Sequence, residues 1–159
     1  MRASAANVWA MGECAGSPKF THIAFDDFRV VRDNLAGKAR STRGRLVPYC
    51  VFTDPELAHV GLDERTAREQ NIKVRVAKLP MQSVLRAVAI GETRGFMKML
   101  VGESGSILGF TMLGVEAGEV CSVVATAMMG NLPYAALRDA ILPHPTMAEG
   151  LGPLLSTLG

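Results

Sequence analysis

The order of apolar and polar positions divides this chain into short segments of changing period. Val8-Trp9-Ala10-Met11 is a brief apolar run stopped by Gly12, the pattern of a buried strand arriving at a turn. From Phe20 to Leu35 the period lengthens: Phe20, Ile23, Ala24, Phe28, Val31 and Leu35 recur every three or four residues, and Gly37 follows. An amphipathic helix with that apolar face is predicted, closed by a glycine able to take the left-handed conformation. Residues 38–45 are polar and basic and predict a linker.

Beyond the linker, strand formers return. Val47 to Phe52 and Ala58 to Leu62 predict short strands on either side of the turn Thr53-Asp54-Pro55-Glu56. Asp63 stands where a cap is needed for a helix from Glu64 to Gln70. Val74, Val76 and Leu79, with Arg75 and Lys78 between them, predict a strand with one wet face. Phe96 to Val101 and Ile107 to Gly114 flank Gly102-Glu103-Ser104-Gly105, a hairpin pattern. Between Ala117 and Met129 the only charge is Glu119, which predicts a helix buried all round. Shorter helices are expected from Tyr134 to Ala140 and from Met147 to Leu155. An edge helix, then strands in hairpins, then clustered helices gives an α+β fold: an antiparallel sheet with helices packed on it.

Composition adds a partner to that picture and removes several others. Apolar residues make up 48% of the 159, and mean hydropathy is +0.20, so spare apolar surface is expected to meet another protein. Basic and acidic residues number 17 and 15, and the one basic excess, Lys38, Arg40, Arg43 and Arg45, reads as a solvated loop; no nucleic-acid partner is expected. No apolar run reaches the roughly 18 residues of a membrane span, so no membrane partner is expected either. Cys14, Cys50 and Cys121 lack C-x-x-C or metal-ligand spacing, which predicts no metal site, small apolar roles, and a reducing, cytoplasmic setting.

Two segments carry candidate chemistry. In Leu142-Pro143-His144-Pro145-Thr146-Met147-Ala148-Glu149, the prolines restrict the backbone on both sides of His144. A carboxylate on one ring nitrogen fixes the tautomer of such an imidazole and favours its protonated form, and Glu149 is the candidate. Thr146-x-x-Glu149 is equally the spacing of a capping box, and both roles are open to a carboxylate with two oxygens. The second segment, Gly12-Glu13-Cys14-Ala15-Gly16, is a glycine-rich turn of low specificity. His22 near the helix start reads as a partly buried packing residue, and His59 as solvent-facing.

Taken together these blocks resemble the pyridine nucleotide-disulfide oxidoreductases, the family of dihydrolipoamide dehydrogenase, glutathione reductase and mercuric reductase. Val8 to Glu13 is similar to the last flavin-contacting strand and its Gly-Asp pair, with Glu13 in place of Asp. Ala24, Asp26, Asp27 and Asn34 to Gly37 resemble the helix that crosses back from the flavin domain. Phe52-Thr53-Asp54-Pro55-Glu56-Leu57-Ala58-His59-Val60-Gly61 resembles the opening of the interface domain. Gly95 to Lys98, Ile107 to Gly109 and Gly114 to Glu119 match its hairpin and helix, and His144 to Glu149 its histidine-glutamate motif.

The resemblance implies that residues 1–45 are a remnant of an FAD domain plus linker, and residues 46–159 a dimerisation domain built around a two-fold axis. It implies a homodimer in which His144, oriented by Glu149, serves as acid and base for the redox disulfide of the other subunit. Gly12, Glu13 and His22 are then cofactor-facing in a full-length parent that uses FAD and NAD(P)H. The sequence contains no G-x-G-x-x-G followed by a helix and no C-x-x-x-x-C, so no cofactor is expected on this chain alone, and no turnover. The partners expected are a second copy and a full-length flavoprotein or its FAD and NAD domains. The competing reading is an independently expressed dimerisation module without catalysis, which co-purification with full-length relatives would reveal. The C-terminal residues 154–159 lack the vicinal cysteines of mercuric reductases, and the electron acceptor is left open.

Overall fold

The computed structural model describes residues 1–158, and the chain divides after Val47 into two units. In the first, the expected strand from Val8 to Met11 is reduced to an isolated antiparallel bridge between Arg2 and Trp9. So short a segment has no sheet to join within its unit. The chain then tightens into a 3-10 turn, Gly12–Ala15, with Gly12 at φ +70°. Helix α1, Thr21–Leu35, follows and ends at Gly37, φ +79°, as the glycine stop requires.

The face that α1 buries differs from the expected one. It holds Ile23, Asp27 and Val30, while Phe25, Phe28 and Leu35 stay exposed. The cause is Asp27, whose partners lie on the inner side. The outward aromatics stack on each other at 5.9 Å between centroids, with the guanidinium of Arg29 over Phe25 and that of Arg32 over Phe28. The basic stretch after α1 is not a solvated loop. Arg40 pairs with Asp26 at 2.7 Å and Asp33 at 3.2 Å, and Arg45 with Asp26 and Asp27, folding the stretch back onto α1.

The second unit, Pro48–Gly159, is built on a five-stranded antiparallel sheet. Its strands are β1, Tyr49–Val51; β2, Leu57–Gly61; β3, Val74–Pro80; β4, Phe96–Gly102; and β5, Ile107–Leu113. Their spatial order is β1-β2-β5-β4-β3. Period-two alternation sets the register: Met97 lies opposite Met112 and Met99 opposite Phe110, all at 0 % exposure, while Lys98 between them turns outward to Glu64 at 3.0 Å. Burying each of these large side chains contributes about 2 kcal/mol. Glycine is required at Gly109, where a Cβ would stand 1.9 Å from the Leu62 carbonyl oxygen.

Helix α2, Glu64–Glu69, begins at Asp63 as expected: the carboxylate accepts the Thr66 N–H at 2.6 Å. That backbone bond holds the Asp63 carboxyl below the usual range. Residues 81–95, for which the pattern gave no element, form a 3-10 turn, Met81–Ser83, and helix α3, Leu85–Ala89. Helix α4, Ala117–Met129, packs on β1, β2 and β5. It is not buried all round: Val120, Cys121, Val124, Ala125 and Ala127 face the core, while Glu119, Ser122, Thr126 and Met129 form an outer stripe left uncovered in the single chain. Helix α5 is Tyr134–Arg138, and the expected last helix is a 3-10 turn, Ala148–Gly150, running into α6, Leu151–Ser156. Helix α6 covers β3 and β4 with Leu151, Leu154 and Leu155, each 1 % exposed or less.

His59 departs from its expected solvent-facing role. Its Nε2–H donates to the Gly61 carbonyl at 3.0 Å, so Nδ1 accepts from the Thr111 hydroxyl at 2.9 Å; the ring is a satisfied sheet residue. Among the described residues, no helix is long and apolar enough to cross a membrane.

Candidate functional site

The loop that carries His144 is fixed from the C-terminal side. Met147, Gly150 and Leu151 are buried, and a side chain at Gly150 would press on Val84 at 3.0 Å and Met97 at 3.2 Å. The Thr146 hydroxyl donates to the Pro143 carbonyl at 2.8 Å and accepts the Glu149 N–H at 3.3 Å. Thr146 therefore caps the turn as its spacing predicts. The reciprocal half of the capping box is not made, because the Glu149 carboxylate goes to the imidazole instead.

Glu149 Oε2 lies 2.8 Å from His144 Nδ1. A carboxylate only accepts, so Nδ1 carries the proton and Nε2 is left as the nitrogen facing outward, without a protein partner among the described residues. The imidazole is 66% exposed and the carboxylate only 19%. Its other oxygen, Oε1, is buried and makes no hydrogen bond among the described residues. This is an orienting carboxylate behind an accessible base, the arrangement that suits proton transfer to a group arriving from outside.

The glycine-rich turn is built differently. The Gly12 N–H donates to Asp27 Oδ2 at 2.7 Å, and Arg45 holds the opposite oxygen at 2.5 Å. Arg45 also reaches the Ser17 hydroxyl at 3.2 Å, so the turn is gripped at both ends. Burial alone would raise the Asp27 pKa; the bonds from Ser17, Arg45 and the Gly12 amide outweigh it and hold the carboxyl below the usual range. Glu13 is exposed and pairs with Lys19 at 3.0 Å. His22 is exposed and stacks on Phe20 at 5.4 Å, where a partly buried packing role was expected. Gly12, Glu13 and His22 thus belong to the first unit, and His144 and Glu149 to the second.

Asp27 and Arg45 were not singled out by sequence reasoning as site residues. The signal was present: Asp27 is four residues after Ile23 and three before Val30, on the buried face of a helix, where an unpaired carboxylate is not tolerated.

The three cysteines are free among the described residues. Cys14 is exposed, contrary to a small apolar role, and its thiol donates to the Met11 carbonyl at 3.1 Å. Burial, and then the Glu56 carboxylate 3.8 Å away, push the Cys50 thiol up; burial pushes Cys121 up to about 11. Thiols in those surroundings are poor nucleophiles. No group of three or more His, Cys, Asp or Glu among the described residues is placed to hold a metal ion.

Residues 47–154 match the family described as "Pyridine nucleotide-disulphide oxidoreductase, dimerisation domain". The chain is 42% identical over 159 residues to the "Probable pyridine nucleotide-disulfide oxidoreductase RclA" of Escherichia coli (strain K12), covering 98% of this chain and 36% of that protein. It is 35% identical over 152 residues to the mercuric reductase of Shigella flexneri, covering 95% of this chain and 27% of that one. Among solved structures, the "HOCl-induced flavoprotein disulfide reductase RclA from Escherichia coli" superimposes with a TM-score of 0.92 at 41% identity, over 98% of this chain and 37% of that one. The chain spans about a third of the length of these relatives. With its five-stranded antiparallel sheet, covering helices and histidine-glutamate loop, the chain belongs to the dimerisation-domain family of the pyridine nucleotide-disulfide oxidoreductases.

Proposed function

We propose that this chain is the dimerising, proton-handling part of an FAD-dependent NAD(P)H:disulfide oxidoreductase. Residues 1–45 serve as a remnant of the FAD domain with its linker and residues 46–159 as the dimerisation domain. The observation that carries the reading is the 2.8 Å bond from Glu149 to His144 Nδ1, which leaves Nε2 accessible. FAD and NAD(P)H supply the electrons when bound. What this chain contributes is the proton: His144 Nε2 takes it from a thiol of the partner subunit's redox pair and returns it, while Glu149 fixes the ring and stabilises it when charged.

The dimer supplies the spare-surface partner that composition calls for. On the outer stripe of α4, Ser122 and Thr126 turn their hydroxyls back to the Gly118 and Ser122 carbonyls, at 3.0 and 2.8 Å, so they present carbon outward beside Met129. Leu132 and the fully exposed Ile141 are further apolar side chains on the surface of the second unit. A second copy presenting the same stripe about a two-fold axis covers it.

We assign the turn in the first unit to one edge of the FAD site. Gly12 commits its amide to Asp27, while the exposed Glu13 carboxylate, paired with Lys19, is an acceptor for the hydroxyls of the FAD sugar-alcohol chain, and His22 lies in the first turn of α1. The flavin ring and the nicotinamide need units that this sequence does not contain. In the reducing cytoplasm the chain alone is therefore colourless and inactive.

The test is reconstitution. Light scattering and an absorbance scan of the purified chain should give a colourless dimer. Adding a polypeptide with the FAD and NAD(P)H units of a relative should restore NAD(P)H oxidation, which His144→Ala abolishes without dissolving the dimer. A stable yellow monomer, or a well-folded reconstituted flavoprotein with no activity, overturns the reading.

A further inference from the structure

Asp27 is a charged side chain at 0 % exposure in the middle of α1. A carboxylate there is costly unless it is fully partnered. Its partners come from segments far apart in the chain: Gly12, 15 residues before it, and Arg45, 18 residues after it. Arg45 in turn reaches across 28 residues to Ser17 and also contacts Asp26 at 3.3 Å. Two side chains thereby tie together the turn, the helix and the end of the basic stretch.

The division of labour between the two oxygens of Asp27 is informative. One takes the guanidinium, and the other takes the backbone amide of Gly12, the one buried residue of its turn. Gly12 stands at φ +70°, where its N–H points back toward the helix and a Cβ would meet that of Ala24 at 3.4 Å. An ion pair retained for stability alone has no need of that amide. Fixing the backbone here determines where the next residue, Glu13, presents its carboxylate.

We propose that Asp27 and Arg45 are positioning residues for the cofactor-facing turn: together they lock the backbone from Gly12 to Ser17 and so set the place from which Glu13 meets the sugar-alcohol chain of FAD. The proposal rests on the flavoprotein reading given above. Arginine is required at position 45 because its planar fork serves Asp26, Asp27 and Ser17 at once, which the point charge of lysine does not.

Two measurements on the same variants test it. Hydrogen exchange on the whole 159-residue chain reads the amides of residues 12–17, and flavin fluorescence reads the Kd for FAD in the reconstituted assembly. Asp27→Asn and Arg45→Met should each lose protection across residues 12–17 while α1 stays protected, and should bind FAD about tenfold more weakly. Arg45→Lys should recover part of both. Glu13→Gln should weaken FAD binding with the protection unchanged.

If the wild-type assembly binds FAD and the Asp27 and Arg45 variants bind it equally well, the positioning role falls and the flavoprotein reading stands. If the variants lose protection throughout α1 as well, the pair is a folding element and the proposal fails. A wild-type assembly that takes up no FAD ends both.

Discussion

Two carboxylates, one in each unit, show how differently the same group is used. Asp27 is wholly buried, and both of its oxygens are engaged, one by a backbone amide and one by a guanidinium. Glu149 is partly exposed, has one oxygen on an imidazole and leaves the other without a partner among the described residues. The first carboxylate holds a backbone in place. The second holds an imidazole in place, and the backbone beneath it is held by packing around Met147, Gly150 and Leu151. A buried charge that organises structure must be saturated, whereas a carboxylate that orients an exposed imidazole engages only one of its nitrogens.

The comparison breaks most severely if a carboxylate is buried where nothing waits for it. Cys121 is 2 % exposed on the inner face of α4, and its thiol is already pushed up to about 11 by burial. Cys121→Asp should destabilise the second unit by about 4 kcal/mol, near the limit for a single substitution. Urea unfolding followed by circular dichroism measures this; a loss below 1 kcal/mol would mean that water or a basic side chain reaches the site.

Removing the saturated carboxylate comes next. Asp27→Ala leaves the Gly12 amide unmatched and Arg45 without its buried partner, at a cost of about 3 kcal/mol. Trp9, the single tryptophan, lies in the first unit and reports its unfolding by fluorescence. The pH dependence sharpens the assignment. The folded Asp27 carboxyl sits below its ordinary value of 3.8, so its contribution is complete above that value and is lost as pH falls through the lower, folded one. Wild type should therefore lose its advantage over Asp27→Asn progressively below about pH 4. An advantage that persists unchanged at lower pH contradicts the assignment.

Most of the fold was legible because its strands alternate cleanly and its turns carry the residues that turns need: β4 and β5 around Gly102 to Gly105, and Asp63 at the head of α2. The failures have physical causes. The burial face of α1 departs from its periodicity because hydrophobic spacing counts Phe28 and Leu35 as inward and cannot see a charge pulled inward by distant partners. Composition predicts a buried outer stripe on α4 because it records how apolar a helix is, not whether its own chain or another covers it. At the candidate site, spacing alone could not divide Glu149 between cap and base. The structure gives the cap to Thr146 and the imidazole to Glu149, a choice between atoms that no residue pattern encodes.

Thr146 and His144 provide the two smallest expected changes. Thr146→Ala removes the cap over the Glu149 amide and the bond to the Pro143 carbonyl, and should cost about 1 kcal/mol. The imidazole of His144, by contrast, is 66% exposed, and its one hydrogen bond among the described residues is to a carboxylate that water also reaches. His144→Ala should therefore change stability by no more than about 0.5 kcal/mol, as for a surface substitution. The same variant should stop disulfide reduction in the reconstituted assembly while leaving FAD uptake intact. Thermal unfolding beside steady-state turnover separates the two quantities. If His144→Ala instead destabilises the chain as much as Asp27→Ala does, both carboxylates serve structure, and the contrast between the two units disappears.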